Sequence, residues 1–335
     1  MAVTGTAGIA DARPVVLVLR ALGLGDLLTA VPALRALRRQ YRSHKIILAC
    51  PAPLRPLALR TGAVDAVMPT PGLGGLRWAA EPVDVAVNLH GSGPESHRDL
   101  LLAAPRKVIT HHHPAFPELG GVPWCAGQHE VVRWCGLLAG YGIDTDPQDL
   151  CLRAPAQRSP AADCVLIHPG AAAEARRWPA GRFAEVVRWL HGRGEHVILT
   201  GSVAERSRAL TVAHAAGLPE SRVLAGRTQM TGLCTLVAGA RLVVCGDTGV
   251  SHLATAFTTP SVTLFGPTSP AEWGPPRLPR HRVLWAGRRG DPHGATTDPG
   301  LLAISVTAVI EAVENQLGQR HTIARGLDIA LTGNP

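Results

Sequence analysis

Two hydrophobic periods alternate along the chain. Nearly continuous apolar runs rich in Val, Ile and Leu give way to stretches with apolar residues three and four positions apart. The first pattern predicts strands buried on both faces, and the second predicts amphipathic helices. VVLVLR (15–20) is the first predicted strand; it meets the turn GLGD and then a helix over LLTAVPALRALRRQY (27–41). Pro32 lies inside that helical pattern, which predicts a kink there. KIILAC (45–50), VDVAVNL (83–89) and KVIT (107–110) read as further strands of one sheet, and HEVVRWCGLLAGYG (129–142) as a helix closed by glycine. Residues 143–162 lose the periodicity and become rich in Pro, Asp and small residues, as a linker would.

A second series follows. CVLIHPG (164–170), HVILTGS (196–202), RLVVCGDTG (241–249) and SVTLFGP (261–267) are predicted strands with their exit turns. GRFAEVVRWLHGRG (181–194), VAERSRALTVAHAAG (203–217), VSHLATAFT (250–258) and ISVTAVIEAVENQLG (304–318) are predicted helices. Strands alternating with helices imply parallel sheets covered on both faces. The expected fold class is α/β, with two Rossmann-like doubly wound domains and ligands bound in an interdomain cleft beyond the carboxyl ends of the strands. The expected boundaries are 14–150 for the amino-terminal domain, 151–162 for the linker and 163–300 for the carboxy-terminal domain, with a last helix over 301–318 and a tail over 319–335.

Composition narrows the picture in three ways. With 46% hydrophobic residues but only 4% aromatic ones over 335 positions, the cores must be built from Ala, Leu and Val. The formal net charge of +8 either serves only to keep a soluble protein apart or favours anionic ligands: nucleotides, phosphosugars or a membrane surface. The arginines are dispersed and no basic block is interleaved with aromatics, which argues against a nucleic-acid partner. The seven cysteines include no Cys-x-x-Cys and several sit in apolar runs, so they read as reduced core residues of a cytoplasmic protein. No apolar run approaches the length of a membrane span and the first fourteen residues do not resemble a signal peptide, so a peripheral contact with the inner face of the cytoplasmic membrane is the membrane association left open.

Three strand-to-helix junctions carry candidate chemistry. In CGDTGVSHLATA, Gly246 and Gly249 allow close backbone approach, while Asp247, Thr248 and Ser251 can cap the helix that follows. Such a helix start either suits a diphosphate or is ordinary capping with no ligand. A carboxylate repels phosphate, so Asp247 is better placed to cap the helix or bond a sugar hydroxyl. In RALGLGDLLTAVPAL, Leu28 stands where a dinucleotide fingerprint needs glycine, which disfavours nicotinamide chemistry. Asp26 there either caps its helix or serves as a general base. In HPGAAAEARRWPAGRF, Arg176 and Arg177 can neutralise a diphosphate or belong to a solvated loop. The HHH tract (111–113) reads as loop, and no metal site is expected.

These segments, with LTGSVAER and VVCGDTGVSHLATAFTTPSVTLFGPTSPAEWGP, resemble in order and spacing the glycosyltransferase family 9 heptosyltransferases, over roughly residues 15 to 317. The resemblance implies the GT-B fold, a last helix that returns to the first domain, and metal-independent, inverting transfer of a heptose from ADP-heptose. The acceptor would be a lipopolysaccharide core, another glycan or a glycolipid. It implies Asp26 as catalytic base, and a donor site of Arg176, Arg177, Thr200, Gly201, Gly246, Asp247, Thr248, Gly249 and His252. Gly25, His90 and Arg98 would lie on the acceptor side. Arginine stands at 176 where the family usually has lysine, and NLHGSGPESHR (88–98) carries His90 where lipopolysaccharide enzymes resemble DLQG. The alternatives are a GT-B transferase or an epimerase using a different nucleotide sugar, or a non-catalytic nucleotide-sugar-binding protein.

Overall fold

The computed structural model describes residues 13–79 and 82–318. The chain forms two compact units. The first comprises the described residues up to Leu22, with Pro32–Cys125 and Trp134–Pro147. The second comprises Gly23–Val31, Ala126–Arg133 and the described residues from Gln148 onward.

In the first unit, β1 (Val15–Leu19), β2 (Lys45–Cys50), β3 (Ala66–Pro69), β4 (Val83–Asn88) and β5 (Lys107–Ile109) form a parallel sheet in the order β3-β2-β1-β4-β5. Every residue of β1 is at most 1% exposed, which explains its unbroken Val/Leu sequence. Strand order reverses beside β1, between β2 and β4, the place where such sheets open a crevice at their carboxyl ends. In the second unit, β6 (Val165–His168), β7 (Val197–Leu199), β8 (Leu242–Gly246), β9 (Ser261–Phe265) and β10 (His281–Trp285) form another parallel sheet, ordered β10-β9-β8-β6-β7. Its reversal lies at β6 and β8, whose exits carry His168 and Gly246.

The helices are α1 (Leu24–Thr29), α2 (Val31–Gln40), α3 (Arg55–Arg60), α4 (Pro94–Leu101), α5 (Glu130–Ala139), α6 (Ala180–Gly192), α7 (Arg206–Ala216), α8 (Met230–Gly239), α9 (Gly249–Ala256), α10 (Pro270–Trp273), α11 (Pro299–Leu302) and α12 (306–318). The expected kink near Pro32 is a full break: α1 stops at Thr29 and α2 begins at Val31. Proline has no N–H for the preceding turn and its ring clashes with the carbonyl four residues back. The break lets α1 be a separate six-residue piece that packs within the second unit.

The resemblance implies that the last helix returns to the first domain. The apolar residues of α12 lie in the core of the second unit, where Val309, Ala312, Val313 and Leu317 join β6, β8 and β9 side chains. Trp178, fully buried, donates its indole N–H to the Ile304 carbonyl and so ties the chain ahead of α12 to that core. The expected tail over 319–335 lies outside the described residues. Of the seven cysteines, Cys50, Cys135, Cys164, Cys234 and Cys245 are buried, whereas Cys125 and Cys151 are exposed and do not belong to the core as expected.

Candidate active site

The exit of β8 builds the first half of the site. Thr248 is the N-cap of α9: its backbone is extended and its hydroxyl oxygen accepts from the Val250 amide at 3.3 Å. The Ser251 hydroxyl donates to the Thr248 carbonyl at 2.7 Å. Asp247 therefore does not cap. It is 5% exposed, its amide bonds Leu264, and Thr268 hydrogen-bonds its carboxylate. Burial pushes the Asp247 carboxyl up to about 6, although Arg176 and Thr268 favour the ionised form.

The second half is α1. Asp26 is half-buried, and its Oδ2 accepts from the Gly23 amide at 3.1 Å, so the capping role is real. What places this helix is a pair of glycines. A Cβ on Gly249 would lie 2.7 Å from Cβ of Leu24, and a Cβ on Gly25 would lie 2.9 Å from Cδ2 of His252 and 3.6 Å from Cα of Gly249. Neither glycine has a positive φ, so the requirement is closeness of approach. The starts of α1 and α9 thus touch through bare backbone, and Asp26 sits one residue from that contact. Gly25, expected on the acceptor side, packs on His252.

The His252 ring meets Trp273 edge-on at 6.1 Å between centroids. Loss of water around the ring, reinforced by His129 and opposed by Glu130, pulls it down to about 4, so it is neutral at physiological pH. His129 pairs through Nε2 with the Gly274 carbonyl.

Arg176 and Arg177, adjacent in sequence, have different surroundings. Both belong to the turn that leaves β6. Arg177 donates Nε to the Ala171 carbonyl and Nη1 to Glu174, each at 2.8 Å. Arg176 has a buried Nε with no hydrogen-bond partner among the described residues and lies beside Asp247. Its carbonyl approaches the Gly246 backbone so closely that a Cβ there would stand 3.2 Å away.

At the exit of β7, Thr200 is buried and hydrogen-bonds His168 Nδ1 at 3.2 Å. Gly201 gives room to Glu205, whose Cβ a side chain at 201 would meet at 3.1 Å. Glu205 accepts from the Ser202 amide at 2.7 Å and lies 3.9 Å from His168. Burial works against its charge, but His168, Ser202 and Arg177 outweigh it and hold the carboxyl below its usual range. Sequence reasoning passed over His168, Glu205 and Trp273. Glu205 carries a readable signal: S-V-A-E has the Ser-x-x-Glu spacing of a capping box.

His90 and Arg98 sit in the first unit. His90 follows β4, where its amide is held by Asn88 Oδ1 at 3.1 Å, and Arg98 is exposed on α4. The structure thus gathers Gly25, Asp26, Arg176, Gly246–Gly249 and His252 in one compact unit, with Thr200 and Gly201 on the same sheet and His90 and Arg98 in the other. Among the described residues no group of His, Cys, Asp and Glu converges as a metal site.

The raised Asp247 carboxyl has a consequence for stability. The folded state holds this proton more tightly than the unfolded chain, so stability falls as pH rises from about 3.8 to about 6. Asp247→Asn removes a buried charge that costs on the order of 1 to 3 kcal/mol at neutral pH. Thermal melts should show the variant melting above the wild type at pH 7.5, with the gap closing near pH 4.

Comparison with known proteins gives the family and the fold. Residues 122–298 match the family model for glycosyltransferase family 9 (heptosyltransferase). The chain is 35% identical over 166 residues to lipopolysaccharide heptosyltransferase 1 of Pseudomonas aeruginosa, an alignment covering 46% of this chain and 43% of that protein, less than half its length. It is 27% identical over 311 residues to lipopolysaccharide heptosyltransferase 2 of Escherichia coli, covering 80% of this chain and 87% of that one. The solved structure of E. coli ADP-heptose lipopolysaccharide heptosyltransferase II superimposes with a TM-score of 0.72 at 23% identity, covering 91% of this chain and 99% of that one. Two doubly wound parallel sheets of this kind are the GT-B fold. With the family model spanning more than half of its residues, the chain is a glycosyltransferase and belongs to glycosyltransferase family 9.

Proposed function

We propose that the protein transfers a heptose from ADP-heptose, with inversion, to a lipopolysaccharide-core acceptor or a related glycan or glycolipid. The observation that supports this reading is the glycine contact between α1 and α9, which packs the helix that carries Asp26 against the start of α9, a helix N-terminus suited to a diphosphate. Asp26 takes the proton of the acceptor hydroxyl as its oxygen bonds the anomeric carbon. The bond from that carbon to the diphosphate oxygen breaks, and ADP leaves with the electron pair. The first turn of α9 and the Arg176 guanidinium meet the charge gathered on the diphosphate, so no step calls for a metal ion. Neutral His252 can hydrogen-bond the sugar without adding charge beside Asp26. Glu205, an ionised acceptor at the exit of β7, suits the hydroxyls of the nucleotide ribose. His90 and Arg98 are assigned to the acceptor.

The relatives named as lipopolysaccharide heptosyltransferases support heptose as the transferred sugar. We place the enzyme in the cytoplasm, where nucleotide sugars are made, with peripheral contact at the inner membrane face. Among the described residues no helix is long and apolar enough to cross a membrane.

Release of the nucleoside diphosphate, followed over a panel of nucleotide sugars with and without a lipopolysaccharide-core acceptor, tests the reading. ADP-heptose should give acceptor-dependent release of ADP far above the release of UDP or GDP from UDP- and GDP-sugars. Turnover of another donor in preference, or ADP release indifferent to acceptor, would refute it.

A further inference from the structure

The turn that presents Arg176 is itself held by a segment well removed in sequence, and the bonds are specific. Ala175 is the fixed point: it is 2% exposed, its amide donates to the Gly294 carbonyl at 3.1 Å, and its carbonyl accepts from the Asp298 amide at 3.2 Å. Two residues on, the Arg177 carbonyl accepts the Thr297 hydroxyl at 3.3 Å. Both backbone neighbours of Arg176 are thereby tied to residues 294–298. The turn also rests against two strand exits. Cβ atoms on Gly246 and Gly266 would stand 3.2 Å from the Arg176 carbonyl and 3.5 Å from the Ala175 carbonyl. The 294–298 segment is in turn anchored: Asp298 Oδ1 caps α11 through the amides of Gly300 and Leu301.

We infer that residues 294–298 form a brace that fixes where the Arg176 guanidinium points, and that Thr297 is a positioning residue for the diphosphate end of the donor. The inference rests on the reading of Arg176 as a diphosphate contact. A guanidinium recognises a diphosphate through directed N–H bonds, so a small rotation of its backbone loses contacts that a point charge would keep. Thr297 does this through another residue; it does not itself touch the ligand in this account. Its hydroxyl is also the one part of the brace that can be removed without disturbing a backbone bond or the α11 cap.

Binding of ADP and of adenosine, measured by calorimetry on the whole protein, tests it. Thr297→Val keeps the shape and removes the hydroxyl. It should weaken ADP roughly three- to tenfold, the range of one lost hydrogen bond, and leave adenosine within about twofold. Thr297→Ser should restore ADP binding. Arg176→Ala should weaken ADP more than Thr297→Val and likewise spare adenosine. If Arg176→Ala weakens ADP and Thr297→Val does not, the brace is wrong and the diphosphate reading stands. Equal losses of ADP and adenosine in Thr297→Val also overturn the brace, because they mark a general loosening. If Arg176→Ala binds ADP like the wild type, the diphosphate reading fails.

Discussion

Asp26→Asn should lower the turnover number of sugar transfer by roughly 10²- to 10⁴-fold, the usual contribution of a positioned general base. The substitution is nearly isosteric. Asparagine keeps a side-chain oxygen for the Gly23 amide that Asp26 now caps, so α1 can retain its start. What it loses is an oxygen basic enough to take a proton from a hydroxyl. The effect should therefore fall on turnover, with little change in melting temperature. A structural role limited to capping predicts the reverse, because losing a cap costs only about 1 kcal/mol and touches stability before rate.

Gly249→Ala should lower kcat/KM by about tenfold to a hundredfold, without adding or removing a functional group. Its Cβ would stand 2.7 Å from Cβ and Cγ of Leu24, and Cβ atoms cannot swing aside like the end of a long side chain. The helix carrying Asp26 must move off the start of α9. A displacement near 1 Å between reacting groups costs on the order of 10²-fold in rate. The same collision should cost stability, about 1 to 3 kcal/mol for an overpacked contact. Gly192→Ala is the control. It also adds a methyl to a helix, at the end of α6, but the new Cβ meets nothing within 4 Å. Kinetics and melting curves on both variants check this: Gly192→Ala should match the wild type in rate, and parallel behaviour of the two would remove the helix contact from the account.

Much of the fold is legible in the sequence because parallel strands buried on both faces leave unbroken apolar runs. VVLVL and LVVCG read as strands for that reason, and the structure finds them at Val15–Leu19 and Leu242–Gly246. The strands that went unread, β3 and β10, are the edges of their sheets. AVMP ends in proline and HRVLW keeps most of its residues half-exposed, so neither shows the buried signature. The single predicted helix over 27–41 became two, starting earlier, because a pattern of apolar positions marks a face and not a continuous axis.

The site divides the same way. Local chemistry pointed to the β8–α9 turn, where capping and glycines are neighbours in sequence, and the structure shows Thr248 as the cap. Distinctions that depend on distant residues were not legible. Arg176 and Arg177 look equivalent in the string RR, yet Arg177 bonds Ala171 and Glu174 while Arg176 faces Asp247. Asp247 looked like a cap until the fold buried it under Thr268. Gly25 reads as a turn glycine, but it packs on His252, more than two hundred positions away.

In the proposed mechanism a proton acceptor on α1 and a diphosphate site at α9 are separable parts of one centre. One preparation of Asp26→Asn measured twice tests it: single-turnover sugar transfer from ADP-heptose, and equilibrium titration with ADP. Transfer should fall by at least about a hundredfold while ADP affinity stays within about twofold. Transfer at the wild-type rate, or ADP affinity lost in step with it, would contradict the account.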